Sequence, residues 1–108
     1  MGTVISPDGQ FEWDSDKNIL NKENHGFFFE EILCVFNDPF FLEAYDWDNS
    51  SLNEERWKGI ASINQRIYFF VSYTENKNRI RIISARLAEP LEKERYCENY
   101  QKQITGYE

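Results

Sequence analysis

Hydrophobic and polar positions alternate most cleanly at Arg79-Ile80-Arg81-Ile82-Ile83-Ser84-Ala85-Arg86. The first four positions exchange guanidinium and branched aliphatic side chains, the period-two pattern of a strand with one buried face. Two strand-like runs precede it, near 55–63 and 66–74. Asn64-Gln65 separates the first pair of runs and Glu75-Asn76-Lys77-Asn78 the second, and asparagine suits the left-handed conformations of tight hairpin turns. The aromatic run from Phe40 to Trp47 predicts another strand, and Phe11-Glu12-Trp13 a short early one. The polar tract 46–53 reads as a loop, and residues 1–10 as a turn-rich lead-in.

Helical spacing governs the remaining segments. Asp14, Ser15 or Asp16 can cap a helix running to about Asn24, where His25-Gly26 supplies a stop. Phe28, Phe29, Ile32, Leu33 and Phe36 then recur at helical intervals until Pro39 ends the segment. Pro90 suits the first turn of a closing helix with Leu91, Tyr96 and Tyr100 on roughly one side. The order β-α-α-β-β-β-β-α predicts an α+β domain over residues 1–108. It comprises a mostly antiparallel sheet of four to five strands, two N-terminal helices and one C-terminal helix. The helices are expected on one face of the sheet, with 79–85 at or beside its centre. Trp13, Phe29 and Phe36 are core candidates.

Composition narrows the class. A chain of 108 residues, 41% hydrophobic and 17% aromatic, suits one folded domain with its own core. No apolar run approaches the roughly 18 residues of a membrane span, and no signal-peptide pattern opens the chain. Cys34 and Cys97 lie far apart without metal-ligand spacing, so both read as reduced thiols of a cytoplasmic protein, at least one of them buried.

The net charge of −7 conceals an asymmetry. Residues 1–55 hold thirteen acidic and two basic side chains, whereas residues 56–95 hold nine basic and four acidic ones. A basic block inside an acidic chain can still form a local positive surface, although the acidity argues against a broad RNA footprint. Arg79 and Arg81, two apart on a strand, project together, and forked guanidinium donors fit phosphate or carboxylate bidentately. Two solvated arginines on a wet sheet face are the plainer alternative.

Phe11-Glu12-Trp13-Asp14, Lys17, Asn21, His25-Gly26, Phe29-Glu30-Glu31, Val35-Phe36 with Asp38-Pro39, Glu54 with Arg56, the 79–86 run and Glu94-Arg95-Tyr96 follow one another at set intervals. In that order they resemble the BrnT family of bacterial toxins, over about residues 11–97. The resemblance implies a compact fold like that of RelE-type ribonuclease toxins, RNA cleavage, and neutralisation by a ribbon-helix-helix antitoxin similar to BrnA, with two toxins on one antitoxin dimer. It implies no membrane partner. The chain departs from such toxins in its acidity.

RNA cleavage without a metal or other cofactor needs a base for the 2′-hydroxyl proton, an acid for the departing 5′-oxygen and cations for the charge building on phosphorus. Arg79 and Arg81 suit the cationic task. Arg86 is one residue out of phase with them, so it joins them only if a bulge or the strand end re-aims it; an ion pair with Glu89, Glu92 or Glu94 is the other reading. Arg56 is a fourth cation or a rim salt bridge. His25, the only histidine, has the pKa for proton transfer near neutrality or serves as a helix C-cap. Glu54 and Glu55 can act as a base or simply end a loop. Trp47 and Trp57 flank the polar loop and either stack on RNA bases or lie partly buried at the sheet edge. Asp46, Asp48, Glu54 and Glu55 lack the tight spacing of a cation-binding loop. Two functions follow: a toxin endoribonuclease working through the Arg79/Arg81 face, or a non-enzymatic partner-binding module of the same fold.

Overall fold

The computed structural model describes residues 2–106. Six strands form one sheet: β1 (Thr3–Ile5), β2 (Phe11–Asp14), β3 (Leu42–Tyr45), β4 (Arg56–Ile63), β5 (Ile67–Asn76) and β6 (Arg79–Leu87). Their spatial order is β1-β2-β6-β5-β4-β3, antiparallel throughout except that β2 runs parallel to β6. The mixed α+β class, the three hairpin-linked strands and the central place of 79–85 are as the sequence pattern indicates. The sixth strand comes from the lead-in, where Thr3–Ile5 pairs with β2. The strand expected over Phe40–Trp47 is confined to Leu42–Tyr45.

Helix α1 (Ser15–His25) is capped by Asp14, whose carboxylate accepts from Lys17 N, and is ended by Gly26 in the left-handed region at φ 86°. Phe28 to Phe36 is not one helix. A single turn, α2 (Phe29–Ile32), tightens into a 3-10 helix over Leu33–Asn37. The closing helix α3 spans Pro90–Thr105. Among the described residues, no helix is long and apolar enough to cross a membrane.

Helices α1 and α2 and the 3-10 segment cover one face of the sheet. There Phe29, Ile32 and Val35 bury against Trp13, Phe69, Val71, Tyr73, Ile82 and Ala85. Contrary to the one-face expectation, α3 lies on the opposite face. Its buried Tyr96 stacks edgewise on Tyr68 and bonds Ser62, and those two are register partners out of phase with core residues Ala61 and Phe69. Asp38 fastens this helix, accepting from Tyr96 Oη at 2.6 Å and from Ser62 N at 2.9 Å. Neither cysteine is buried: Cys34 is exposed on the outer side of the 3-10 segment and Cys97 is partly exposed on α3.

Candidate nucleic-acid interface

A one-residue irregularity in β6 organises the candidate site. Ser72 of β5 pairs with Ser84 and Tyr73 with Ile82, leaving Ile83 as the extra residue of a bulge. The bulge reverses the phase of the strand, so Ile82 and Ala85 both enter the core although three positions separate them. Arg79, Arg81, Ser84 and Arg86 therefore face the other way together, opposite Asn76, Thr74, Ser72 and Phe70. The condition under which Arg86 joins the other two arginines is met. Lys58 and Arg56 of β4, opposite Ser72 and Thr74, extend the same face. The result is a cationic surface floored by hydroxyl side chains.

Each arginine is also held within the chain. Glu12 of β2 is the register partner of Arg81. Its carboxylate is only 3% exposed and accepts from Arg81 Nη1 at 2.5 Å and Asn76 Nδ2 at 3.1 Å. Arg79 approaches the same carboxylate at 4.0 Å and donates through Nε to Gly9 O at 3.0 Å. Burial alone raises the pKa of Glu12, but the Asn76 and Arg81 hydrogen bonds and the charges of Arg81 and Arg79 outweigh it, holding the carboxyl below its ordinary value. Arg86 makes a fork to Glu92 at 2.8 and 2.9 Å and lies over the Phe70 ring at 4.3 Å. Hydrogen bonding to Glu92 raises the pKa of Arg86 against the opposing effect of burial. Arg56 Nε bonds Glu54 at 2.7 Å. All four guanidinium groups remain about one-third exposed.

His25 does not join this surface. It is exposed at the end of α1, in the layer beyond the core face, so the sheet separates it from the arginines. The tryptophans divide. Trp47 is 82% exposed, more open than the partial burial expected of a sheet edge, with its ring 4.5 Å from that of Tyr45. Trp57 is half-buried against the core and edgewise to Tyr45.

A cleft of about 710 Å³ is lined by Arg81, Trp57 and the carboxylates Glu43, Glu54, Glu55 and Glu75, among others. Four carboxylates therefore surround the single arginine of this cleft. Tyr73 at this cleft donates to Glu43, and burial followed by that bond raises its pKa strongly. Among the described residues, no three His, Cys, Asp or Glu side chains gather to hold a metal ion.

The residue that sequence reasoning missed is Glu12. A glutamate between two buried aromatics on a short strand must point away from the core, but its pairing with a segment 69 residues distant has no local signature.

A family model described as "Ribonuclease toxin, BrnT, of type II toxin-antitoxin system" matches residues 13–92. Among solved structures, the chain is similar to the crystal structure of the Brucella abortus ribonuclease toxin BrnT, with 22% identity over 71% of this chain and 92% of that chain and a TM-score of 0.53. At that identity the likeness concerns the fold. No curated protein matches the chain.

Proposed function

The chain belongs to the BrnT ribonuclease toxin family of type II toxin-antitoxin systems, and on that premise we propose that it is an endoribonuclease that binds the scissile phosphate with Arg79 and Arg81. One observation carries this reading: the Ile83 bulge turns Arg79, Arg81 and Arg86 to a single side of β6, the face that α3 meets at Arg86 through Glu92. Cleavage proceeds without metal or other cofactor. The 2′-hydroxyl oxygen bonds to phosphorus as the bond from phosphorus to the 5′-oxygen breaks, and the departing 5′-oxygen takes a proton from water, giving a 2′,3′-cyclic phosphate and a free 5′-hydroxyl. The two guanidinium groups balance the charge that gathers on the phosphoryl oxygens in between. Arg86 and Arg56 hold neighbouring phosphates, and the exposed ring of Trp47 offers a face for a splayed base, whereas Trp57 packs on the core face. Because the sheet screens His25 from the arginines, the proton of the 2′-hydroxyl goes to a carboxylate beside Arg56 and Arg81; Glu54 and Glu55 have the chemistry to accept it.

A type II toxin implies an antitoxin. We infer a ribbon-helix-helix protein that acts in the cytoplasm and carries two toxins per dimer, with acidic side chains covering the arginine face.

A second reading, a partner-binding module without catalysis, draws on the carboxylates already engaging each arginine. Expression decides between them. Induced in a bacterium without antitoxin, the chain should arrest growth, and Arg79→Ala with Arg81→Ala should relieve the arrest at equal protein level. A double variant as toxic as the parent would remove the arginines from the site. No arrest by either protein would favour the module.

A further inference from the structure

We propose that Glu12 is a positioning residue for the phosphate-binding arginines, a buried carboxylate that fixes Arg79 and Arg81 from beneath while their outer surface meets RNA. The proposal rests on the ribonuclease reading for its catalytic part alone. Glu12 lies just outside the stretch that matches the family model, residues 13–92.

Three features set this carboxylate apart from an ordinary surface ion pair. It is 3% exposed, whereas the arginines it holds are about one-third exposed, so Glu12 is the floor of the site and the arginines its surface. Asn76 Nδ2, donating to the same Oε2 as Arg81, restrains the carboxylate independently of the arginines. The pairing also follows from backbone register, since Glu12 and Arg81 are Cα partners across the parallel β2–β6 ladder. One negative charge beneath two positive ones leaves the cluster net cationic.

Orientation matters because a guanidinium stabilises a phosphoryl transition state only when its fork is aimed before charge develops. An arginine on a solvated sheet face samples many rotamers, and immobilising it during reaction costs free energy. A carboxylate that holds the fork in advance removes that cost from the catalytic step. Glu12 is too enclosed to meet the 2′-hydroxyl itself, so its role runs through Arg79 and Arg81.

Glu12→Gln keeps the size and an acceptor oxygen but removes the charge. In single-stranded RNA cleavage, kcat should fall by on the order of 10². KM should stay level or drop, because the variant presents more net positive charge to RNA. In ¹⁵N-labelled protein without RNA, the Nε–H signals of Arg79 and Arg81 should be resolved in the parent and merge with those of solvated arginines in the variant. Glu12→Asp keeps the charge but withdraws it by one methylene, and it covers the case in which the glutamine variant fails to fold. It should show the same kcat loss and the same broadened arginine signals, in milder form. Unchanged or raised kcat in a folded variant, or arginine signals identical to the parent's, would overturn the positioning role. If the parent cleaves no RNA while its Arg79 and Arg81 signals still depend on Glu12, the ribonuclease reading fails and the structural clamp stands.

Discussion

At the scale of single residues, buried polar side chains do much of the joining. Asn21 of α1 donates to Phe27 O and Ala85 O, both at 2.9 Å, and accepts from Ala85 N at 3.0 Å. It thereby pins the helix to β6 just beyond the bulge. Asn21→Ala leaves those backbone groups unpaired in a buried place and should cost about 2–4 kcal/mol; a loss below about 1 kcal/mol in urea unfolding would show that water replaces the amide. Glu12 and Glu92 make acid sensitivity predictable. Burial opposes both charged forms, but hydrogen bonds and arginine charges hold both carboxyls below the ordinary 4.5. A carboxyl depressed in the fold contributes its stability fully above its unfolded pKa and loses it as pH falls through the folded value. The urea midpoint should therefore change little through these two groups between about pH 7 and 5 and decline below about pH 4.5, less steeply in Glu12→Gln. Equal acid slopes for parent and variant would refute the linkage. Sequence pattern pointed to the arginines, because alternation shows parity. It could not disclose their partners, since Glu12 and Thr3 arrive from strands, and Gly9 from the turn between them, 69 to 78 residues away.

Elements were legible where apolar periodicity marked the buried side. Strands β4 to β6 and the Asp14 and Gly26 ends of α1 fall within a few residues of their sequence-based limits. Orientation was harder. The inward positions of α1 are Asn18 and Asn21, while Ile19 and Leu20 are half exposed, so hydrophobicity misstates which side of this helix packs. Phe28 to Phe36 has helical spacing, but the chain tightens after Ile32 to deliver Phe36 and Phe41 onto Phe11 and Tyr73. The bulge did leave a trace: Ile82-Ile83 breaks the alternation, and it resumes in opposite phase. Gly59 reflects the same close packing, for a Cβ there would collide with the Phe41 ring. Gly59→Ala should cost about 1–3 kcal/mol by overpacking, and thermal unfolding at the parent's temperature would show that Phe41 moves aside freely.

For the whole molecule, the charge asymmetry of the sequence becomes an internal arrangement. The acidic first half supplies Glu12 and Glu54, and α3 supplies Glu92, to arginines from the basic middle. The overall −7 is thus compatible with one cationic face beside the acidic cleft that Arg81 shares. Family membership shows what kind of protein this is, and the bulged β6 gathers the arginines on which the proposed phosphate site rests. The measurement that bears most directly on the central claim is cleavage of a single-stranded RNA by the purified chain in excess EDTA, with the new ends identified. The account predicts fragments ending in 2′,3′-cyclic phosphate and a rate lower by on the order of 10² or more in the Arg79→Ala, Arg81→Ala protein. Intact RNA with the parent chain, or equal cleavage by the folded double variant, would contradict it.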